Sequence, residues 1–261
     1  MTFVVPLGYD EAGEGQPLIL VHGFPMDRRI WSSQLRDLAG VARVVAVDLP
    51  GRGKSPEQAD GPGEASMDSY ADHLAKTIKS LDAGPVDLAG VSMGGYILFA
   101  FWRRHPELVR SLILISTRST EDPPVGKEGR KRVAALVLEK GTSELIPMMF
   151  PKLFGPNAGP EARESMKKMV QDLPPGGAAA DSLAMGMRPA STPDLASITV
   201  QTLVLHGQAD ELMPIDEAQE MAAGIKGANF VPIPGAGHLP PIENPAAVSQ
   251  AMREFLMKRQ A

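Results

Sequence analysis

The chain has 261 residues, 43% hydrophobic and 22% charged, with a formal net charge of −5. That length and balance fit one large α/β domain with a full core, or two small ones, and argue against a nucleic-acid surface. It contains no cysteine, which excludes disulfides, thiolate chemistry and cysteine-held metals. No basic-then-apolar leader opens the chain, and no run approaches the ~18 apolar residues of a membrane span. The expectation is a soluble, cytoplasmic protein.

Residues 3–9 are expected to pair as an edge strand, where Pro6 interrupts no ladder. Pro17–Val21 is a continuous apolar run, the pattern of a strand covered on both faces, and it ends in His22-Gly23-Phe24-Pro25. Trp31, Leu35 and Leu38 predict a helix over residues 30–39. Arg43–Val47 reads as the next buried strand, closing in Asp48-Leu49-Pro50-Gly51-Arg52-Gly53-Lys54-Ser55. A Pro- and Gly-rich loop follows, then a helix over residues 67–81 with Asp68 as its expected cap.

Residues 86–105 organise the rest. A short apolar run ends at Gly90-Val91-Ser92-Met93-Gly94-Gly95, and an apolar run of helical length follows until Pro106. Strand, sharp turn and buried helix form the context of a nucleophile elbow. Gly90 and Gly94 remove the Cβ atoms that would clash in so tight a turn. Ser92 then stands over a helix N-terminus, which favours any anion formed there. A bare G-x-S-x-G arises often by chance, so this context and the motifs further along carry the reading.

After a strand over residues 112–115, the strand–helix alternation breaks. Helices are expected over residues 130–140, 160–173 and 178–187, with no strand among them. Residues 117–193 therefore read as a helical cap inserted into a core formed by 1–116 and 194–261. Alternation resumes with a strand over 202–206, a helix over 215–223 and a strand over 229–232. A last helix opens at Asn244-Pro245, an Asn cap followed by Pro at the first helical position. The whole predicts a mostly parallel central sheet with helices on both faces, its ligands beyond the carboxyl ends of the strands.

Four loops leave those ends. In His22-Gly23-Phe24-Pro25, the Phe24 N–H can point at a bound carbonyl oxygen, and the Met93 N–H can supply a second donor. Such donors are worth roughly 3–4 kcal/mol each at the transition state. In His206-Gly207-Gln208-Ala209-Asp210, Asp210 is the carboxylate best placed to orient an imidazole. Glu211 and Asp216 read as exposed or helix-capping, while Glu121 and Asp122 stay open as rivals. In Pro234-Gly235-Ala236-Gly237-His238-Leu239, His238 arrives late in the chain, where a base for Ser92 is needed. His22 and His206 read as bonding backbone at strand ends, His73 as one polar residue of a helix, and His105 as dipole-favoured. The fourth loop lacks the first glycine of a phosphate-binding loop, since Asp48 stands there. It reads as a structural turn with Asp48 paired to Arg52.

LVHGFP, DLPGRGKS, GVSMGGY, LVLHGQAD and GAGHLPPIENP, in this order and spacing, resemble the α/β-hydrolase superfamily over nearly the whole chain. The resemblance implies Ser92 as nucleophile, His238 as base, Asp210 as its orienter, and Phe24 and Met93 as backbone donors. Its dehalogenase and epoxide-hydrolase branches carry Asp at the nucleophile position, which Ser92 argues against. Within the serine branch the chain is similar to carboxylesterases, 3-oxoadipate enol-lactonases and cofactor-free haloperoxidases or perhydrolases. Pro25 resembles what perhydrolases often carry and also occurs in other branches, so it keeps that activity open. One motif departs from the pattern: Pro-Gly-Arg-Gly replaces the usual Arg-Gly-His-Gly.

These readings converge on hydrolysis of small to medium, fairly apolar esters through an acyl-enzyme, with no metal or organic cofactor. A lactonase or perhydrolase on the same three side chains is the alternative, and a slow-turnover receptor is the rival of another class. Phe24, Pro25, Met149, Phe150 and Leu239 are the expected substrate contacts. The expected partner is a small-molecule ester or lactone, with no nucleic acid and no membrane span.

Overall fold

The apolar runs fold into a seven-stranded sheet made of β1 (Tyr9–Ala12), β2 (Pro17–Val21), β3 (Arg43–Val47), β4 (Val86–Val91), β5 (Val109–Ile115), β6 (Gln201–Gly207) and β7 (Asn229–Ile233), in the order β1-β3-β2-β4-β5-β6-β7. The computed structural model describes residues 5–55 and 65–258. Only β1 runs antiparallel, with Tyr9 opposite Val47; the other pairings are parallel. Every residue of β4 is buried, including Asp87, whose carboxylate accepts the Ser111 hydroxyl of β5 at 2.6 Å. Strand order reverses at β2 and β4, so the loops leaving these neighbours open the crevice where such sheets hold ligands.

The edge strand lies later than the expected residues 3–9; Phe3 and Val4 are outside the described residues. Ahead of β1 the backbone turns toward a helix instead. The Leu7 N–H donates to Thr77 Oγ1 at 2.8 Å, and Val5 lies against His73 Nδ1. The helix expected at 30–39 is split into a 3-10 turn, Arg28–Trp31, and α1 (Ser32–Asp37). The Asp27 carboxylate accepts the Arg29 N–H at 2.9 Å and so starts the turn early. The loop expected after Ser55 falls on residues 56–64, outside the described residues.

α2 (Met67–Ser80) is capped by Ser66, not Asp68. The Ser66 and Ser69 side chains each accept the other's backbone N–H at 3.0 Å. Asp68 sits in the first turn, 3.7 Å from Arg104. α3 (Met93–Arg104) buries Ile97, Leu98, Phe99 and Phe101 almost completely. Each such side chain contributes about 1.5–3 kcal/mol. His105 follows α3 with its Nε2 2.8 Å from Asp72.

Between β5 and β6 lie α4 (Pro124–Lys140), α5 (Leu145–Leu153), α6 (Pro160–Asp172) and α7 (Pro175–Met187). No strand occurs there among the described residues. Three of these helices begin on a proline, which suits a first helical turn. α4 and α7 consequently start earlier than expected, and α5 was not foreseen as a helix. After β6 come α8 (Ile215–Gly224), α9 (Pro240–Glu243) and α10 (Pro245–Lys258), the last opened by Asn244 Oδ1 accepting the Ala247 N–H at 3.3 Å. No helix among the described residues is long and apolar enough to cross a membrane.

Asp48 and Arg52 do not pair as expected. Asp48 takes the Arg28 N–H and guanidinium and the Lys54 N–H, closing its own turn. Arg52 reaches α7 instead. Its two terminal nitrogens meet Asp181 at 2.7 and 2.8 Å, and the Tyr70 hydroxyl donates to the same carboxylate at 2.8 Å. At most 1% of either charged side chain is exposed. A two-pronged, hydrogen-bonded pair is the geometry that offsets the cost of burying two charges.

Asp122, just beyond β5, binds Arg130 of α4 and Arg188 beyond α7, both at 2.8 Å. The chain entering these helices is thus tied to the chain leaving them. Burial works to raise the Asp122 carboxyl, but the Arg188 hydrogen bond and the two guanidinium charges bring it down to about 2. A carboxyl held below its unfolded value adds stability above that value and loses it as pH falls through the folded one. Asp122→Asn is therefore expected to lower Tm at pH 7 and to flatten its decline between pH 3.8 and 2, as read by circular dichroism melts.

Candidate active site

Ser92 is the hinge between β4 and α3. Its backbone sits at φ 53° and ψ −116°, a left-handed region that costs a serine about 1–3 kcal/mol. The surroundings hold it there. The Ser92 N–H donates to the Ile115 carbonyl and its own carbonyl accepts the Gly95 N–H, both at 2.9 Å. Thr117 Oγ1 donates to the same Ser92 carbonyl at 2.8 Å. A Cβ on Gly90 would lie 2.6 Å from the Gly94 carbonyl carbon, and one on Gly94 would strike the Val21 carbonyl oxygen. The turn tolerates no larger residue at either place.

Side chains 146 and 28 positions apart in the chain meet at this hinge. His238 Nε2 is 2.9 Å from Ser92 Oγ, and His238 Nδ1 is 2.8 Å from Asp210 Oδ2. A carboxylate only accepts, so the ring proton lies on Nδ1 and the bare Nε2 faces the serine hydroxyl. Ser92 and His238 are 6% and 3% exposed, and the Asp210 side chain is fully buried. The other Asp210 oxygen accepts the Leu212 and Met213 N–H groups at 2.9 and 3.0 Å. Burial pushes the Asp210 carboxyl up, but its electrostatic interaction and hydrogen bond with His238 and the Met213 amide outweigh this and hold it below the usual range.

His206 and His22 bond backbone groups, as their positions at strand ends suggested. His206 Nε2 donates to the Met213 carbonyl at 2.9 Å while its Nδ1 is buried without a partner. Burial lowers its pKa against the opposing pull of Asp210, 3.6 Å away, and of the Met213 hydrogen bond. His22 donates from Nδ1 to the Gly23 carbonyl and accepts the Leu49 N–H on Nε2. It thereby pins the Phe24 loop to the turn after β3. Burial, then Arg52, lowers its pKa and keeps it neutral in that role.

Phe24 follows Gly23, where a Cβ would lie 3.0 Å from the Ser92 Cβ. A cis peptide bond joins Phe24 to the buried Pro25. Among the described residues neither the Phe24 nor the Met93 N–H makes a turn or loop hydrogen bond, and Met93 is the first residue of α3. Leu239 is fully buried beside His238. Met149 and Phe150 lie half-buried on α5, with the Phe150 ring edge-on to Phe154 at 5.3 Å. The structure therefore gathers Ser92, Asp210, His238, Phe24, Met93 and Leu239 at one end of the sheet. The rival acids are occupied elsewhere, Glu121 with Lys127 and Asp122 with its two arginines. Glu211 and Asp216 are exposed. Thr117 and the linking role of His22 were not foreseen; their signal was only a hydroxyl or an imidazole next to a strand end. Among the described residues no three His, Cys, Asp or Glu side chains are grouped to hold a metal ion.

A parallel sheet with this hinge and these loops defines a class, and the chain belongs to the alpha/beta hydrolase family, whose model matches residues 18–251. It is 42% identical to a thermophilic esterase from Thermogutta terrifontis, solved with malate bound. That match covers 97% of this chain and 93% of the esterase, with a TM-score of 0.93. It is 30% identical to the AB hydrolase superfamily protein YisY of Bacillus subtilis, over 96% of this chain and 95% of that one. It is 26% identical to a 2-hydroxymuconate semialdehyde hydrolase of a Pseudomonas species, over 96% and 90%.

Proposed function

We propose that the protein is a serine carboxylesterase acting on small to medium esters, with residues 117–193 as a cap over the site. The observation that carries this is the relay Ser92 Oγ to His238 Nε2 at 2.9 Å and His238 Nδ1 to Asp210 at 2.8 Å. The 42% identity to an esterase supports the ester class. Ser92 Oγ adds to the acyl carbon while His238 takes its proton. The Phe24 and Met93 N–H groups, joined by the α3 N-terminus, hold the oxyanion. His238 then protonates the leaving alcohol, and the acyl group stays on Ser92. Water enters, gives a proton to His238, attacks the acyl carbon, and releases the acid as the proton returns to Ser92. Phe24, Pro25, Leu239 and, from the cap, Met149 and Phe150 supply the apolar contacts.

The test is a panel of p-nitrophenyl acetate and butyrate, lactones, amides, and acetate with peroxide. Linear esters are expected to give the highest kcat/KM, and a phosphonate is expected to label wild-type protein but not Ser92→Ala. Faster turnover of lactones, or of acetate with peroxide, moves the assignment to those activities. No turnover and no covalent adduct makes the protein a receptor on a hydrolase scaffold.

A further inference from the structure

His238 stands on the loop between β7 and α9. α9 ends in Glu243, five positions later. One oxygen of its carboxylate accepts the Leu239 N–H at 2.8 Å; the other accepts the Gly237 N–H at 3.0 Å and the Gly155 N–H at 2.7 Å. The amides on both sides of His238 thus end on one carboxylate. The His238 N–H itself donates to the Leu153 carbonyl at 3.0 Å. Leu153 closes α5, so residues 153–155 and 237–239 lie backbone to backbone. A Cβ on Gly155 would sit 2.5 Å from the Gly237 nitrogen. Neither strand of this contact has a side chain to wedge it apart at that point.

We propose that Glu243 is a positioning residue that fixes the His238 imidazole by clamping its loop to the end of α5. This rests on the reading of His238 as the base for Ser92. Only a carboxylate suits the place, because all three groups it meets are N–H donors and it presents acceptors on both oxygens. A glutamine of the same shape turns an NH2 group toward at least one of those donors. The loop then loses a bond next to His238, and the ring loses its fixed approach to Ser92 and Asp210. The clamp also makes the base answer to the cap. Any displacement of α5 pulls on the loop that carries the imidazole.

Glu243→Gln is expected to slow kcat and the rate of phosphonate labelling of Ser92 together, by about 10²-fold, the scale of a misplaced catalytic group. KM is expected to stay near the wild-type value, since Glu243 touches no substrate. The far-downfield proton NMR signal of His238 Nδ1–H is expected to broaden or vanish. Ser66→Ala, which weakens the α2 cap far from the site, is the control for a merely structural loss: its kcat and downfield proton are expected to be unchanged. Gly155→Ala attacks the same clamp from the α5 side and is expected to repeat the changes seen with Glu243→Gln. Wild-type labelling by either folded variant, or slow labelling with the downfield proton intact, overturns the proposal. If wild-type protein itself resists the phosphonate, the nucleophile reading fails, while the downfield proton still reports on the clamp.

Discussion

His238→Ala is expected to lower kcat for ester hydrolysis by on the order of 10⁶-fold, the scale seen when a triad base is removed. Among the described residues the imidazole is the one hydrogen-bonding partner of Ser92 Oγ, so nothing else is placed to take its proton. A serine hydroxyl left alone is a poor nucleophile at neutral pH. The fold is expected to survive, because Asp210 keeps the Leu212 and Met213 amides after the ring has gone. Residual hydrolysis above the water rate is expected from the proposed amide donors, Phe24 and Met93. Steady-state assay with p-nitrophenyl butyrate, alongside a circular dichroism melt, checks both parts. A folded variant with more than about 1% of wild-type kcat shows that another group activates Ser92.

Asp210→Asn is expected to cost about 10⁴-fold in kcat while leaving the structure nearly unchanged. The geometry gives the reason. One oxygen of residue 210 already accepts two backbone N–H groups, so an asparagine must put its carbonyl there. Its NH2 then faces His238 Nδ1, which has to become the acceptor. The ring proton moves to Nε2, and a donor confronts the serine hydroxyl where an acceptor is needed. The acid response is expected to change as well. The carboxyl of Asp210 is held below its ordinary value, so its share of stability is present at neutral pH and is lost as pH falls through the folded value. The asparagine variant lacks that share and that pH dependence. Rate measurements and melts across the acid range decide it; near-normal turnover would mean that His238 takes its orientation from elsewhere.

The site was legible in the sequence because parallel, doubly covered strands read as unbroken apolar runs. Their ends can then be located, and the residues just beyond them share one edge of the sheet. Ser92 and Asp210 follow the ends of the buried strands β4 and β6, and His238 follows β7, a partly exposed edge strand. What was not legible depends on partners distant in the chain. β1 reads Tyr-Asp-Glu-Ala, with no apolar signal, because an edge strand needs only one neighbour. α5 was hidden by Pro151 inside it, which propensity alone counts against a helix. Ser66 and Asp68 are both plausible caps, and only the reciprocal bond with Ser69 separates them. The partner of Arg52 lies 129 positions away in an alanine-rich helix. Glu243 stood inside the motif GAGHLPPIENP with no role assigned, since nothing local shows that three amides converge on it.

The joint between Arg52 and Asp181 bears on how proteins of this kind can diversify. Trading one helical cap for another is an obvious way to reach new substrates on an old scaffold. Here a replacement lacking an acid at the position of Asp181 would strand a guanidinium in the interior, a defect of about 3–5 kcal/mol. That is a large part of the whole margin by which an ordinary domain stays folded. A graft onto this scaffold has to rewrite residue 52 in the same step, so the turn after β3 and the helices between β5 and β6 must be inherited together.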